Sequence, residues 1–133
     1  MSSSARLRLG RPRRALSAKA YAEPGSILIT IKLLHTAVWL FFAGCIVAIP
    51  VAGAGRHFVW AAALTGMVLI ECLILAANQG RCPLTGLAAR HTSQRTANFD
   101  IYLPVWLARH NKTIFGTLFV AGVLFVLGLW VMS

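Results

Sequence analysis

Thr113–Met132 reads TIFGTLFVAGVLFVLGLWVM, twenty residues without a charged side chain. As a helix rising 1.5 Å per residue it extends about 30 Å, the depth of a bilayer's hydrocarbon core. The chain holds two more runs of this kind. One spans Ile27 to about Ala54 and is broken only by Lys32 and His35. The other spans Phe58 to about Gln79 and is broken only by Glu71. Composition agrees: 58% of residues are hydrophobic, 12% are charged, and the mean hydropathy is +0.72. A soluble domain carries about 25% charged residues, so this chain lacks the polar surface to cover itself in water. The expected fold is all-α, an integral membrane bundle of three transmembrane helices plus a short amphipathic interfacial helix.

The net charge is +10, and most of the thirteen Lys and Arg stand outside the apolar runs. Such placement points to topology and anionic lipid headgroups rather than nucleic acid. Residues 1–26 hold six basic residues and one acid and read as a disordered basic tail. The region 80–112 holds Arg81, Arg90, Arg95, Arg109 and Lys112 against Asp100, whereas the turn at 53–57 holds only Arg56. The positive-inside rule then puts the tail and 80–112 in the cytoplasm and the C-terminus outside. The expected location is a bacterial inner membrane. The Arg-rich, Ser-rich tail also resembles a mitochondrial presequence, which keeps a mitochondrial membrane as an alternative.

The region 80–112 is long for a bare connection. Pro83 suits a first helical position, and Leu84, Leu87, Ala88 and His91 follow at the spacing of one helix face. Phe99, Tyr102 and Trp106 are aromatics of the kind that mark a membrane interface. Pro104 is placed to open a helix leading into the third span. Small residues at four-residue spacing, Gly44, Ala48 and Ala52, then Ala62 and Gly66, offer faces for close helix packing or for a homodimer.

Few polar groups fall inside the runs. Glu71 lies eight residues before Gln79, and His35 eight after Ile27, each about 12 Å deep. Antiparallel neighbours joined by a tight turn bring these depths together. A carboxylate alone in lipid costs roughly 3 kcal/mol or more, so His35 and Glu71 are expected to face inward as a pair, directly or through water. The pair is either a clamp between helices or a proton- or ligand-holding site. Cys82 precedes Pro83 at the expected helix N-cap beside Arg81, where a thiolate is favoured. The plainer alternative has Cys82 capping the turn, with Thr85 reaching back to the same helix end. Asp100 is expected to pair with an arginine of its own loop. Tyr102 and His110 are secondary candidates, with His110 on the same side as His35.

Of the three cysteines, at 45, 72 and 82, none has metal-site spacing, and the odd count suggests free thiols. No metal and no cofactor are expected. A haem b held by two histidines is an alternative, but only His35 is clearly within a span.

The order Leu34-His35, Leu64-Thr65-Gly66, Glu71, then Cys82-Pro83-Leu84-Thr85, with Tyr102-Leu103-Pro104 before the last span, resembles a bacterial family of small membrane proteins known only as a domain of unknown function. The resemblance covers about residues 33–130. It implies the bundle and marks His35, Glu71 and Cys82, but supplies no reaction. The tail is extra to that pattern, and "RTANFDIYLPVWLARHNK" follows it only loosely.

The functional expectation is therefore an accessory or assembly partner of a membrane complex. The alternatives are a redox or cofactor-binding protein using His35 and Glu71, and a small oligomeric proton or solute transporter. An enzyme acting through Cys82 would need a base near the thiol, and His91 is the one candidate in the local sequence.

Overall fold

The computed structural model describes residues 25–133; the expected basic tail lies outside them apart from its last two positions. Among the described residues there are four helices and no strand: α1 (Ser26–Ala54), α2 (Phe58–Ala77), α3 (Pro83–Ala89) and α4 (Val105–Val131). Helices α1, α2 and α4 are each long and apolar enough to cross a membrane. With all backbone bonds internal, a helix is one of the few forms that lipid tolerates. The chain is an integral membrane helical bundle.

Pro104 opens the helix that leads into the third span, as expected. Pro104 is the N-cap of α4, so Arg109, His110, Asn111 and Lys112 continue the apolar run as helix rather than belonging to a loop. Proline presets the backbone for a helix start and loses no bond there. At 29 residues, α1 extends about 44 Å, longer than a ~30 Å hydrocarbon core, so it tilts or protrudes.

Helix α1 is central. It packs along both α2 and α4, while α2 and α4 meet each other only sparsely. Ile49 is fully buried at this core, with Cys45, Ile46 and Val68 around it. Outward side chains such as Val59, Leu73 and Val131 are exposed and apolar, as lipid-facing residues should be. The α1–α4 contact closes at glycines the four-residue spacing did not single out. A Cβ on Gly53 would sit 2.5 Å from Val126 Cγ2, and one on Gly122 would sit 3.3 Å from Pro50 Cδ. By contrast, Gly44 and Gly66 face open space within the chain, so they are not its own packing points.

The turns at both ends of α2 are built alike. After α1, the Arg56 N–H bonds Gly53 O at 2.9 Å and the His57 N–H bonds Ala52 O at 2.9 Å. After α2, the Gly80 N–H bonds Leu75 O at 2.6 Å. The six-to-one closures, His57 to Ala52 and Gly80 to Leu75, need a left-handed residue just past the cap. Arg56 and Gln79 fill that position at φ 59° and 57°, although glycine stands beside each.

Helix α3 and the segment 96–103 cover the end of the bundle where α1 begins, α2 stops and α4 starts. Leu28 and Ile31 of α1 are buried against Ala88, with Leu84 and Phe99 packed around them. Leu87 faces outward instead, and His91 lies beyond the helix end, so the face expected from their spacing is only half used.

Candidate functional site

One and a half turns of α1, Lys32 to Thr36, grip the segment before α4. His35 Nδ1 stands 3.1 Å from the backbone oxygen of Asp100 and 3.3 Å from its Oδ2. The Tyr102 N–H donates to Thr36 Oγ1 at 3.0 Å, and Lys32 Nζ lies 4.7 Å from the centre of the Tyr102 ring. Ile101, between them, is buried. An apolar anchor flanked by polar ties is how a loop end can sit against a membrane helix without orphaned backbone groups.

Asp100 is the buried charge of this cluster, 5% exposed. Thr85 of α3 donates its hydroxyl to Oδ2. Burial works against the charged form of Asp100, but the hydrogen bonds from His35 and Thr85 and the nearby imidazole outweigh it, holding the carboxyl below its ordinary value. Among the described residues no buried side-chain nitrogen or oxygen lacks a partner.

The geometry settles the imidazole tautomer. Both atoms facing Nδ1 are oxygens that only accept, so Nδ1 carries the hydrogen. Cys82, the N-cap residue of α3, lines the same cleft as His35. Cys82 is partly exposed, Cys45 is buried in the core, and Cys72 is exposed on α2.

Several sequence expectations change here. The direct His35–Glu71 hydrogen bond is not formed: His35 turns to Asp100, which lies closer in space than its loop position suggested. Asp100 pairs with His35 and Thr85, not with an arginine, and Arg95 instead bonds the carbonyls of Thr92, Gln94 and Ala89. Thr85 reaches Asp100 and not its own helix end. The histidine that shares the cleft with Cys82 is His35, not His91. Pro83 and Leu84 do hold the expected positions, opening α3 and packing its inner face.

Glu71 and His35 nonetheless line one cleft of about 850 Å³. It opens where α2 and α4 diverge, with α1 as its floor. Its polar end carries His35, Glu71, Arg81, Asp100 and Lys112, and its apolar end carries Phe42, Phe115 and Phe119. Midway, Trp39 donates its indole N–H to Asn111 Oδ1 at 2.7 Å and meets Phe115 edge-on. Neither Trp39 nor Asn111 stands out in sequence. His110 bonds the Trp106 carbonyl of its own helix at 2.9 Å and lies outside the cleft, as does His91. A second imidazole opposite His35, which haem ligation by two histidines requires, is thus not assembled. Among the described residues no group of three His, Cys, Asp or Glu is spaced to close on one metal ion.

No protein-family model matches this chain, and no curated protein or solved structure matches it either.

Proposed function

We propose that this chain binds an amphiphile with an anionic head in the cleft between α2 and α4, at the cytoplasmic leaflet of a bacterial inner membrane. One observation carries the reading: a single cleft of about 850 Å³ grades from a polar, cationic end into a phenylalanine-lined end. That size is within the usual range for small-molecule sites.

Charge selects the head group. Arg81, Arg95 and Lys112 line the polar end, against Glu71 and Asp100. Asp100 is engaged by His35 and Thr85. The His35–Asp100 contact is the one carboxylate–cation pair among the described residues. Among the described residues Arg81 and Lys112 therefore stand without a carboxylate partner, and a phosphate or carboxylate head fits them. The excess of Lys and Arg on this side supports the cytoplasmic placement.

An accessory role beside a larger complex has no comparable observation. The second groove, along Ala62, Gly66, Val126 and Trp130, is apolar and suits lipid as well as a helix.

Native mass spectrometry of the detergent-purified chain tests the reading. Phosphatidylglycerol should be retained over phosphatidylcholine, and the preference should disappear in the Arg81→Ala/Lys112→Ala double variant. Equal retention of both lipids, unchanged in that variant, would remove the proposal.

A further inference from the structure

We propose that Asn111 reads the ester linkage of the bound amphiphile, so that the cleft takes a glycerophospholipid whose chains are joined as acyl esters. The inference rests on the anionic-amphiphile reading of the cleft and adds what the head is attached to.

Asn111 lies about two turns into α4 and lines the cleft. Trp39 of α1 fixes which way its amide points. An indole N–H only donates, and it stands 2.7 Å from Oδ1, so the amide oxygen faces Trp39 and the NH2 group faces away. Trp39 is itself held, its ring edge-on to Phe115 with centres 5.3 Å apart. Asn111 Nδ2 makes no hydrogen bond among the described residues. No buried side-chain nitrogen among them lacks a partner, so Nδ2 is not buried, and its two N–H donors are open to the cleft.

These donors stand between charge and hydrocarbon. Toward the polar end, Lys112 reaches back to the turn after α2, its Nζ 3.3 Å from where a Cβ on Gly80 would stand. Arg81 is the next residue of that turn. In the other direction Phe115 and Phe119 follow along α4, one and two turns beyond Asn111. A phosphate held by Arg81 and Lys112 leaves the next part of its lipid beside Asn111. In a glycerophospholipid that part is the glycerol with its ester carbonyls. A carbonyl oxygen is a neutral acceptor, the partner that suits an amide NH2 where a second charge would be costly.

A clamp between α1 and α4 accounts for Oδ1 and the indole. It leaves two N–H donors unused on the open side, where apolar walls make them costly unless something accepts from them.

The test is a competition read by native mass spectrometry of the full chain in detergent. Diacyl phosphatidylglycerol is offered with its diether analogue, which has the same head and chains but no carbonyl, and with phosphatidylcholine. The diacyl lipid should be retained over the diether by about two- to tenfold, the worth of a hydrogen bond. Asn111→Asp keeps an acceptor for Trp39 but has no donor, and both lipids carry the same head, so their ratio should fall to one. The double variant Trp39→Phe/Asn111→Leu removes both polar groups together and leaves neither orphaned. It should melt close to the parent and also show a ratio of one. Equal retention of diacyl and diether lipid by the parent, both held over phosphatidylcholine, overturns the role of Asn111 and leaves the anionic-head reading standing. A diacyl preference that survives in the double variant overturns it as well. Retention of neither phosphatidylglycerol over phosphatidylcholine removes the anionic-head reading and this inference with it.

Discussion

His35 and Asp100 are 65 residues apart in the chain and meet at 3.1 Å, joining the first membrane helix to the segment that opens the last. This contact ties α1, α3 and the start of α4 into one unit, because Thr85 holds the same carboxylate. It follows that disturbing Asp100 should loosen all three together.

The first expectation concerns acid. Asp100 ionises below its ordinary 3.8 in the folded protein. Its contribution is therefore fully present above about 3.8 and is lost as pH falls through the lower folded value. Hydrogen-exchange protection at residues 96–103, taken relative to the intrinsic rate at each pH, should stay flat from pH 7 to 5 and fall only in stronger acid. Asp100→Asn should exchange faster at neutral pH and lose that acid dependence. An Asp100→Asn profile superimposing on the parent would contradict this account.

Removing the hydroxyl that caps Asp100 should be costly. Thr85→Val keeps the shape but leaves the carboxylate short of a donor, and hydrogen bonds to charged groups contribute about 1.5–3 kcal/mol. Thr85→Ser should retain most of that. Denaturant titration in one detergent would check the order, parent above Ser above Val.

Close approach of α1 and α4 depends on Gly53. An added Cβ would lie 2.5 Å from Val126 Cγ2, a branched side chain with little room to turn. Gly53→Ala should cost about 1–3 kcal/mol through overpacking. Pairing it with Val126→Ala should recover part of the loss. Gly44→Ala, facing open space, should be near neutral in the same melting experiment.

The turn after α2 offers a gain. Gln79 holds φ 57°, a conformation that is unfavourable for L residues by about 1–2 kcal/mol. Gln79→Gly should raise stability by somewhat less, after its own entropy cost. Gly80→Ala should do the reverse, at φ 73° and with Lys112 Nζ 3.3 Å from the new Cβ. A thermal melt that moves the two variants in the same direction would count against this reading of the turn.

The spans were legible because apolar runs of this length have one stable form in lipid. The partner of His35 was not. Depth along two antiparallel helices singled out Glu71, and Glu71 does share the cleft with His35. Asp100 looked like a surface acid among arginines. The signal that marks it is local: NFDIYLP sets the acid between Phe99 and Ile101, and Ile101 is buried. An acid bracketed by apolar residues in a chain with only three is a candidate for burial wherever it falls. Cys82 and Pro83 were legible from helix-start chemistry. That His35 shares the cleft with Cys82 was hidden because it comes from another helix.

The central place of α1 has a consequence for how the protein is made. His35 is synthesised 65 residues before Asp100. At roughly 5–20 residues per second, that is a wait of about 3–13 s. During that interval α1 and α2 can enter the bilayer as a hairpin, with the imidazole still lacking its carboxylate. The site comes together only when the segment before α4 arrives, so a ribosome that stalls within α4 leaves an inserted but incomplete protein, and the last helix serves as the assembly checkpoint for the first.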